Sequence, residues 1–69
     1  MDELSNSIAL LRAARQISQT ELAEAIGVSR KTISTVETGR FTPSVVIALK
    51  LAQFFQVPVE QIFSLKTIE

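Results

Sequence analysis

Two cationic side chains, Arg30 and Lys31, stand next to each other near the middle of the chain, directly after Ser29. A serine in this position can cap the start of a helix, which would place both cations in its first turn. Cations there oppose the helix dipole, at a cost of about 0.3–1 kcal/mol each. An anionic partner would offset that cost. The pair therefore favours an anion-binding surface over an ordinary solvated helix start.

The elements that must position these cations are two short helices within residues 19–38, joined by one tight turn. Ala23 is small enough to lie where the helices cross, Gly27 can adopt the positive φ of the turn, and Ile33 returns a branched apolar side chain to the first helix. Four more apolar residues complete the contact: Leu22, Ile26, Val28 and Val36. This pattern is the helix-turn-helix signature, in which the second helix enters a groove of DNA.

Composition limits the other possibilities. The chain has 69 residues, which predicts one small domain over residues 1–69, and it contains neither Cys nor His, so we expect no disulfide, metal or cofactor. No stretch resembles a signal peptide or a membrane span, so we expect a cytoplasmic protein. The net charge of zero argues mildly against a DNA-binding protein, but Arg30, Lys31 and Arg40 are clustered, and a local patch can still attract an anion.

Helical spacing and capping residues predict an all-α, compact five-helix domain with a possible short C-terminal strand. Ser18 with Glu21 forms a capping box, Ser29 and Ser44 can cap later helices, and Pro58 forces a break. The predicted helices cover about residues 3–16, 18–26, 29–37, 45–55 and 59–63. The tail after residue 63 is left open between a short strand and a frayed end.

In order and spacing, the chain resembles the Cro/C1-type (XRE) helix-turn-helix family of bacterial and phage DNA-binding regulators over roughly residues 8–63. The matching stretches are Leu11–Arg12, Ile17–Ala23, Gly27–Arg30, Thr32–Ser34, Val36–Glu37, Gly39, Pro43–Ser44, Ala48–Ala52 and Val59–Phe63. The resemblance implies a Cro/C1 repressor-like fold and double-stranded DNA as partner.

The resemblance also implies roles for individual residues. The positions that the family uses for base edges are Ser29, Arg30, Lys31 and Thr35, and the expected DNA backbone contacts are Gln19, Thr32, Thr38 and Arg40. Because Arg and Lys can donate to guanine O6 and N7, we expect a G·C pair near each end of a half-site. Arg12 and Glu37 match a pair that the family uses as a structural salt bridge.

The leading hypothesis is a sequence-specific transcriptional regulator, expected to be a repressor, that binds a palindromic operator as a homodimer. So small a domain cannot easily enclose all of its large C-terminal apolar side chains, so we predict a dimer interface at Phe63, Leu65 and Ile68. The alternative is an adaptor or antitoxin that uses the same fold to bind a protein partner. An enzyme is not expected, because the chain lacks His, Cys and a phosphate-binding loop.

Overall fold

The computed structural model describes residues 2–67, with side chains described for residues 3–66. Within them, four α-helices follow a first strand, and a single 3₁₀ turn precedes a second strand. In chain order the elements are β1 (Asp2–Asn6), α1 (Ile8–Arg15), α2 (Gln19–Ile26), α3 (Arg30–Glu37), α4 (Val45–Phe55), the 3₁₀ turn (Val59–Gln61) and β2 (Phe63–Thr67).

The prediction of an all-α five-helix domain is wrong. The expected fifth helix is only the three-residue 3₁₀ turn, because it starts directly after Pro58 and β2 already begins at Phe63. The expected first helix is also shorter and begins only at Ile8, because Leu4, although it fits the helical spacing, pairs with Leu65 in the sheet. The fold is therefore four helices and a small sheet.

The sheet joins the two ends of the chain. β1 pairs with β2 in antiparallel register, with Leu4 opposite Leu65 and Ser5 opposite Ser64. The two serine hydroxyls lie 2.7 Å apart across the strands. The short C-terminal strand that the sequence allowed is thus present, and its partner lies at the N-terminal end. No hairpin turn links the strands, which is why local turn signals do not reveal the pair.

One apolar core connects all four helices and the segment before β2. Its fully enclosed members come from different elements: Ile8, Leu22, Ala23, Ile26, Ile33, Val36, Leu51, Phe55 and Ile62 are all buried. Ala23 and Ile33 are both among them, as the helix-turn-helix pattern requires. Within the described residues, no helix combines the length and the apolar character needed to cross a membrane.

Capping side chains fix where three of the helices begin. Ser18 accepts a hydrogen bond from the Glu21 N–H, and Glu21 accepts one from the Ser18 N–H, which completes the predicted capping box. Ser29 and Ser44 cap α3 and α4 with one bond each, accepting from the N–H groups of Thr32 and Ile47. Gly27 ends α2 with φ +75°, the left-handed conformation that a glycine adopts at little cost. These caps set the turn between α2 and α3.

Arg15 of α1 holds the end of α4. Its guanidinium donates to the carbonyl oxygens of Phe54 at 3.0 Å and Phe55 at 2.9 Å. The same group lies 5.2 Å and 5.3 Å from the centres of these two rings, within cation–π range. Gln56 then ends α4 with φ +57°. A charged side chain therefore partners the carbonyls that the helix leaves free.

We predict that Gln56→Gly stabilises the protein, because glycine adopts a left-handed backbone without the steric cost that glutamine meets there. The expected gain in the free energy of unfolding is about 0.5–1 kcal/mol, measured by urea unfolding. Gln53→Gly is the matched control, since Gln53 is an exposed residue inside α4 and should lose about 1 kcal/mol. Equal destabilisation by both substitutions would contradict this explanation.

Candidate nucleic-acid interface

The N-terminal end of α3 presents the predicted cations to solvent. Ser29, Arg30 and Lys31 are all exposed, whereas Ile33 and Val36 further along the same helix are buried. The apolar side chains fix the helix on α2, so the cations are carried by a packed element and not by a loop. This arrangement can donate several hydrogen bonds to an acceptor-rich partner.

The hydroxyl groups predicted to contact DNA already have partners within α3. Ser29 Oγ accepts from the Thr32 N–H at 3.1 Å and lies 2.9 Å from Thr32 Oγ1. Thr35 Oγ1 donates to the carbonyl oxygens of Lys31 and Thr32, and Thr38 Oγ1 donates to the Ser34 carbonyl oxygen. The oxygen lone pairs of Thr35 and Thr38 remain available as acceptors, whereas Ser29 Oγ already accepts from the Thr32 N–H. Donation to an acceptor in DNA would first require one of these internal bonds to break.

Arg12 of α1 and Glu37 at the end of α3 form a two-pronged ion pair. Arg12 Nε donates to Glu37 Oε2 and Arg12 Nη2 donates to Glu37 Oε1, both at 2.8 Å. Arg12 Nη1 also donates to the Ile17 carbonyl oxygen. The side chains are only 19% and 11% exposed, respectively. Such a fork between Arg and a carboxylate fixes direction as well as distance.

Gln19 connects this ion pair to the exposed cations. Its Nε2 donates to Glu37 Oε1 at 3.3 Å, and its Oε1 accepts from Arg30 Nη1 at 3.4 Å. One chain of polar contacts therefore runs from Arg12 through Glu37 and Gln19 to Arg30. Gln19 was predicted to contact the DNA backbone. The structure places this half-buried side chain between the scaffold and the first cation of α3.

Arg40 and Lys50 are two further exposed cations, and they lie outside the first turn of α3. Arg40 is exposed just after α3, beyond the turn in which its own N–H donates to the Thr35 carbonyl oxygen. Lys50 is exposed on α4. Arg40 follows the C-terminal end of α3, whereas Arg30 and Lys31 begin that helix and Lys50 lies on α4. Among the described residues, no group of acidic, His or Cys side chains could hold a metal ion.

Asn6 also belongs to this site, although its sequence position did not predict it. Its side-chain amide donates to the Val36 and Glu37 carbonyl oxygens at the end of α3. The partners are 30 and 31 residues away in the chain, and Asn6 fell inside the predicted first helix. An asparagine directly before a run with helical spacing is a capping signal, and that signal would have pointed to the true helix start.

The comparisons with known proteins agree with this geometry. A family model described as helix-turn-helix matches residues 8–62, which takes in all four helices and the 3₁₀ turn. An uncharacterized HTH-type transcriptional regulator of Methanocaldococcus jannaschii is 42% identical over 60 residues, covering 87% of this chain and 91% of that protein. An uncharacterized HTH-type transcriptional regulator of Bacillus subtilis is 36% identical and is covered over 96% of its length.

A phage repressor and a solved structure are also similar. The CTXphi transcriptional repressor RstR of Vibrio cholerae is 37% identical over 60 residues, which cover 87% of this chain and 54% of RstR. The crystal structure of a proposed DNA-binding protein from Bacteroides fragilis superposes with a TM-score of 0.77 at 30% identity, covering 88% of this chain and 98% of that one.

The ion pair generates a prediction about acid stability. Hydrogen bonds from Arg12 lower the pKa of Glu37 below its ordinary value of 4.5, and the bond from Gln19 acts in the same direction, against the opposing effect of burial. The unfolded chain therefore takes up a proton first as the pH falls. Stability from this group is present above about pH 4.5 and is lost as the pH falls through the lowered pKa.

We predict that Glu37→Gln lowers the free energy of unfolding at pH 7 by on the order of 2 kcal/mol and weakens the loss of stability in acid. Urea unfolding between pH 7 and pH 3 measures both effects. Glu24→Gln is the control, because Glu24 is an exposed acid on α2. If Glu37→Gln and the wild type lost the same stability between these pH values, the ion pair would not be the cause.

Proposed function

This chain belongs to the Cro/C1-type (XRE) helix-turn-helix family of DNA-binding transcriptional regulators, and from this premise we propose that it is a sequence-specific repressor that binds a palindromic operator as a homodimer. It is a DNA-binding protein and not an enzyme. The observation that supports the proposal most is the exposed cationic start of α3, formed by Arg30 and Lys31 on a helix that is packed against α2.

In the proposed complex, α3 lies in the major groove with its N-terminal turn nearest the bases. Arg30 and Lys31 donate to guanine O6 and N7, and Ser29 and Thr35 lie beside the base edges. Gln19, Thr32, Thr38 and Arg40 contact the DNA backbone, and thereby fix the register of α3 without reading sequence. Gln19 supports this assignment because it already touches Arg30, so a phosphate bound by Gln19 would lie beside the reading side chain.

A homodimer is supported by the C-terminal strand. Leu65 is 71% exposed on β2, and within the described residues β2 is paired only with β1. Phe63 is half-buried against the core, and Ile68 lies outside the described residues. We propose that these three residues form the interface. Two-fold symmetry would then present two copies of α3 about 34 Å apart, one turn of B-DNA. Because the proposed ligand is genomic DNA, we also propose that the protein is cytoplasmic.

A second candidate function, binding to a protein partner as an adaptor or antitoxin, is favoured by one observation. Val45 and Val46 are 74% and 62% exposed at the start of α4, and Leu49 lies one turn further along. Exposed apolar groups close together often mark a protein contact. DNA binding and protein binding use different surfaces of this chain, so substitutions on α3 and on α4 can separate the two functions.

We predict distinct losses of DNA binding for the cations of α3 and the one that follows it. Arg30→Ala should cost about 1–3 kcal/mol on the operator and relax the base preference at one position. Arg40→Ala should weaken operator and random DNA alike, and reduce the slope of log K against log salt by about 1. The operator is first selected from a random DNA pool, and affinities are measured by fluorescence anisotropy.

Lys50→Ala is the matched control, because it removes the same charge from the exposed surface of α4. It should leave both affinities near those of the wild type. If no sequence were enriched and no DNA bound at low salt, the repressor proposal would fail. If Arg30→Ala kept full biological activity while Val45→Glu lost it, the protein-partner function would be favoured.

We predict that Leu65→Glu weakens the dimer, because it places like charges opposite each other across the proposed two-fold axis. Sedimentation equilibrium should show a dissociation constant raised at least about tenfold, the equivalent of 1.4 kcal/mol. Val45→Glu is the control, since Val45 is as exposed as Leu65 but lies on α4. Dissociation by Val45→Glu alone would place the interface on α4 instead of β2.

A further inference from the structure

Asn6 is the last residue of β1, and its half-buried side chain joins three elements. Nδ2 donates to the Val36 carbonyl oxygen at 3.1 Å and to the Glu37 carbonyl oxygen at 3.2 Å. Oδ1 accepts from the Ile8 N–H at 3.1 Å. The amide nitrogen and the amide oxygen are therefore both engaged. One side chain ties the end of the sheet and the start of α1 to the last turn of α3.

The chemistry of these three bonds requires a neutral amide. A helix leaves its first N–H groups and its last carbonyls without partners. At the start of α1, Ser7 makes no side-chain capping bond within the described part of the chain, and Asn6 Oδ1 supplies the acceptor instead. At the end of α3, which has no basic residue in its last turn, Nδ2 supplies the donors. A carboxylate could replace only the first of these functions and would face the negative end of α3.

Asn6 and Arg12 hold the same residue of α3 in two independent ways. Arg12 binds the Glu37 carboxylate, whereas Asn6 binds the Glu37 main-chain carbonyl. A side chain can rotate about its own bonds, so the ion pair alone leaves the backbone some freedom. The carbonyl bonds remove that freedom, because a carbonyl oxygen moves only with the helix itself.

From these contacts we propose that Asn6 is a positioning residue for α3, the recognition helix of the proposed complex with DNA. It fixes the rotation and tilt of α3 relative to α1 and the sheet, and thereby aligns Arg30 and Lys31 with the base edges although it touches no DNA. The inference rests on the proposed DNA binding for its functional consequence. Its structural half concerns the free protein and can be tested without DNA.

The first arm of the experiment measures the orientation of α3 in the free, full-length chain. Residual dipolar couplings of backbone N–H groups are recorded for the wild type, Asn6→Ala and Asn6→Asp. Ser5→Ala is the matched control, because Ser5 precedes Asn6 in β1 and its described side-chain bonds go only to Ser64. We expect the couplings of α3 in both Asn6 variants to depart from the wild-type orientation while those of α2 still fit it. Couplings of α3 that fit the wild-type orientation in both variants would overturn the proposal.

The second arm measures affinity for the selected operator and for random DNA, at a temperature where circular dichroism shows every protein folded. Loss of folded protein lowers both affinities by the same factor, whereas a misplaced α3 lowers mainly the sequence-specific one. We expect the ratio of the two affinities to fall about tenfold in Asn6→Asp, the equivalent of about one weakened base contact, and to stay unchanged in Ser5→Ala.

The two arms separate this inference from the proposed function. An equal loss on both DNAs, or a reoriented α3 with an unchanged affinity ratio, would overturn the positioning role. If the wild type bound no DNA at all, the repressor proposal would fail, and the dipolar couplings would still decide whether Asn6 orients α3. Should Asn6→Asp not fold, Asn6→Ala carries both measurements, because it removes the donors without adding a charge.

Discussion

An eight-residue helix does not hold its own shape in water, because too few hydrogen bonds repay the cost of nucleating it. The helix α3, which we propose as the recognition helix, has this length. Its conformation and direction therefore depend on contacts with the rest of the chain at its two ends and along one face. Ser29 satisfies its start, Ile33 and Val36 bury one face, and the ion pair between Arg12 and Glu37 fixes its end. The surface that we propose for DNA binding therefore depends on all of these contacts together.

The ion pair between Arg12 and Glu37 carries a desolvation cost as well as a favourable interaction energy. Removing two charges from water is costly, and a pair this little exposed repays that cost only through good geometry and further hydrogen bonds. Here both carboxylate oxygens accept from Arg12, and Oε1 also accepts from Gln19. The pair thus contributes direction more than net stability. It joins α1, the start of α2 and the end of α3 in one fixed arrangement.

The sequence predicted interactions between near neighbours in the chain, but not those between distant residues. The caps at Ser18, Ser29 and Ser44 and the turn at Gly27 depend on neighbours within a few residues, and all four were predicted correctly. The pairing of β1 with β2 was not, because the two strands lie at opposite ends of the chain and no turn between them marks the pair. The same difficulty hid the Asn6 contacts. At the site, the solvent exposure of Arg30 and Lys31 agrees with their charge, whereas the link from Arg30 through Gln19 to Glu37 requires the packed structure.

The zero net charge of the chain makes the orientation of α3 important for the proposed DNA binding. Affinity for DNA in general comes mainly from cations that neutralise phosphates and release counterions, and a chain with equal numbers of acidic and basic residues has little such affinity to spare. In the proposed complex, a larger share of binding comes from directional hydrogen bonds to base edges. Those bonds weaken steeply when distance or angle is wrong. A protein that relies on direction more than charge needs the helix that reads the bases held rigidly. In the proposed complex, the contacts of Arg12, Gln19 and Asn6 at the ends of α3 meet that need.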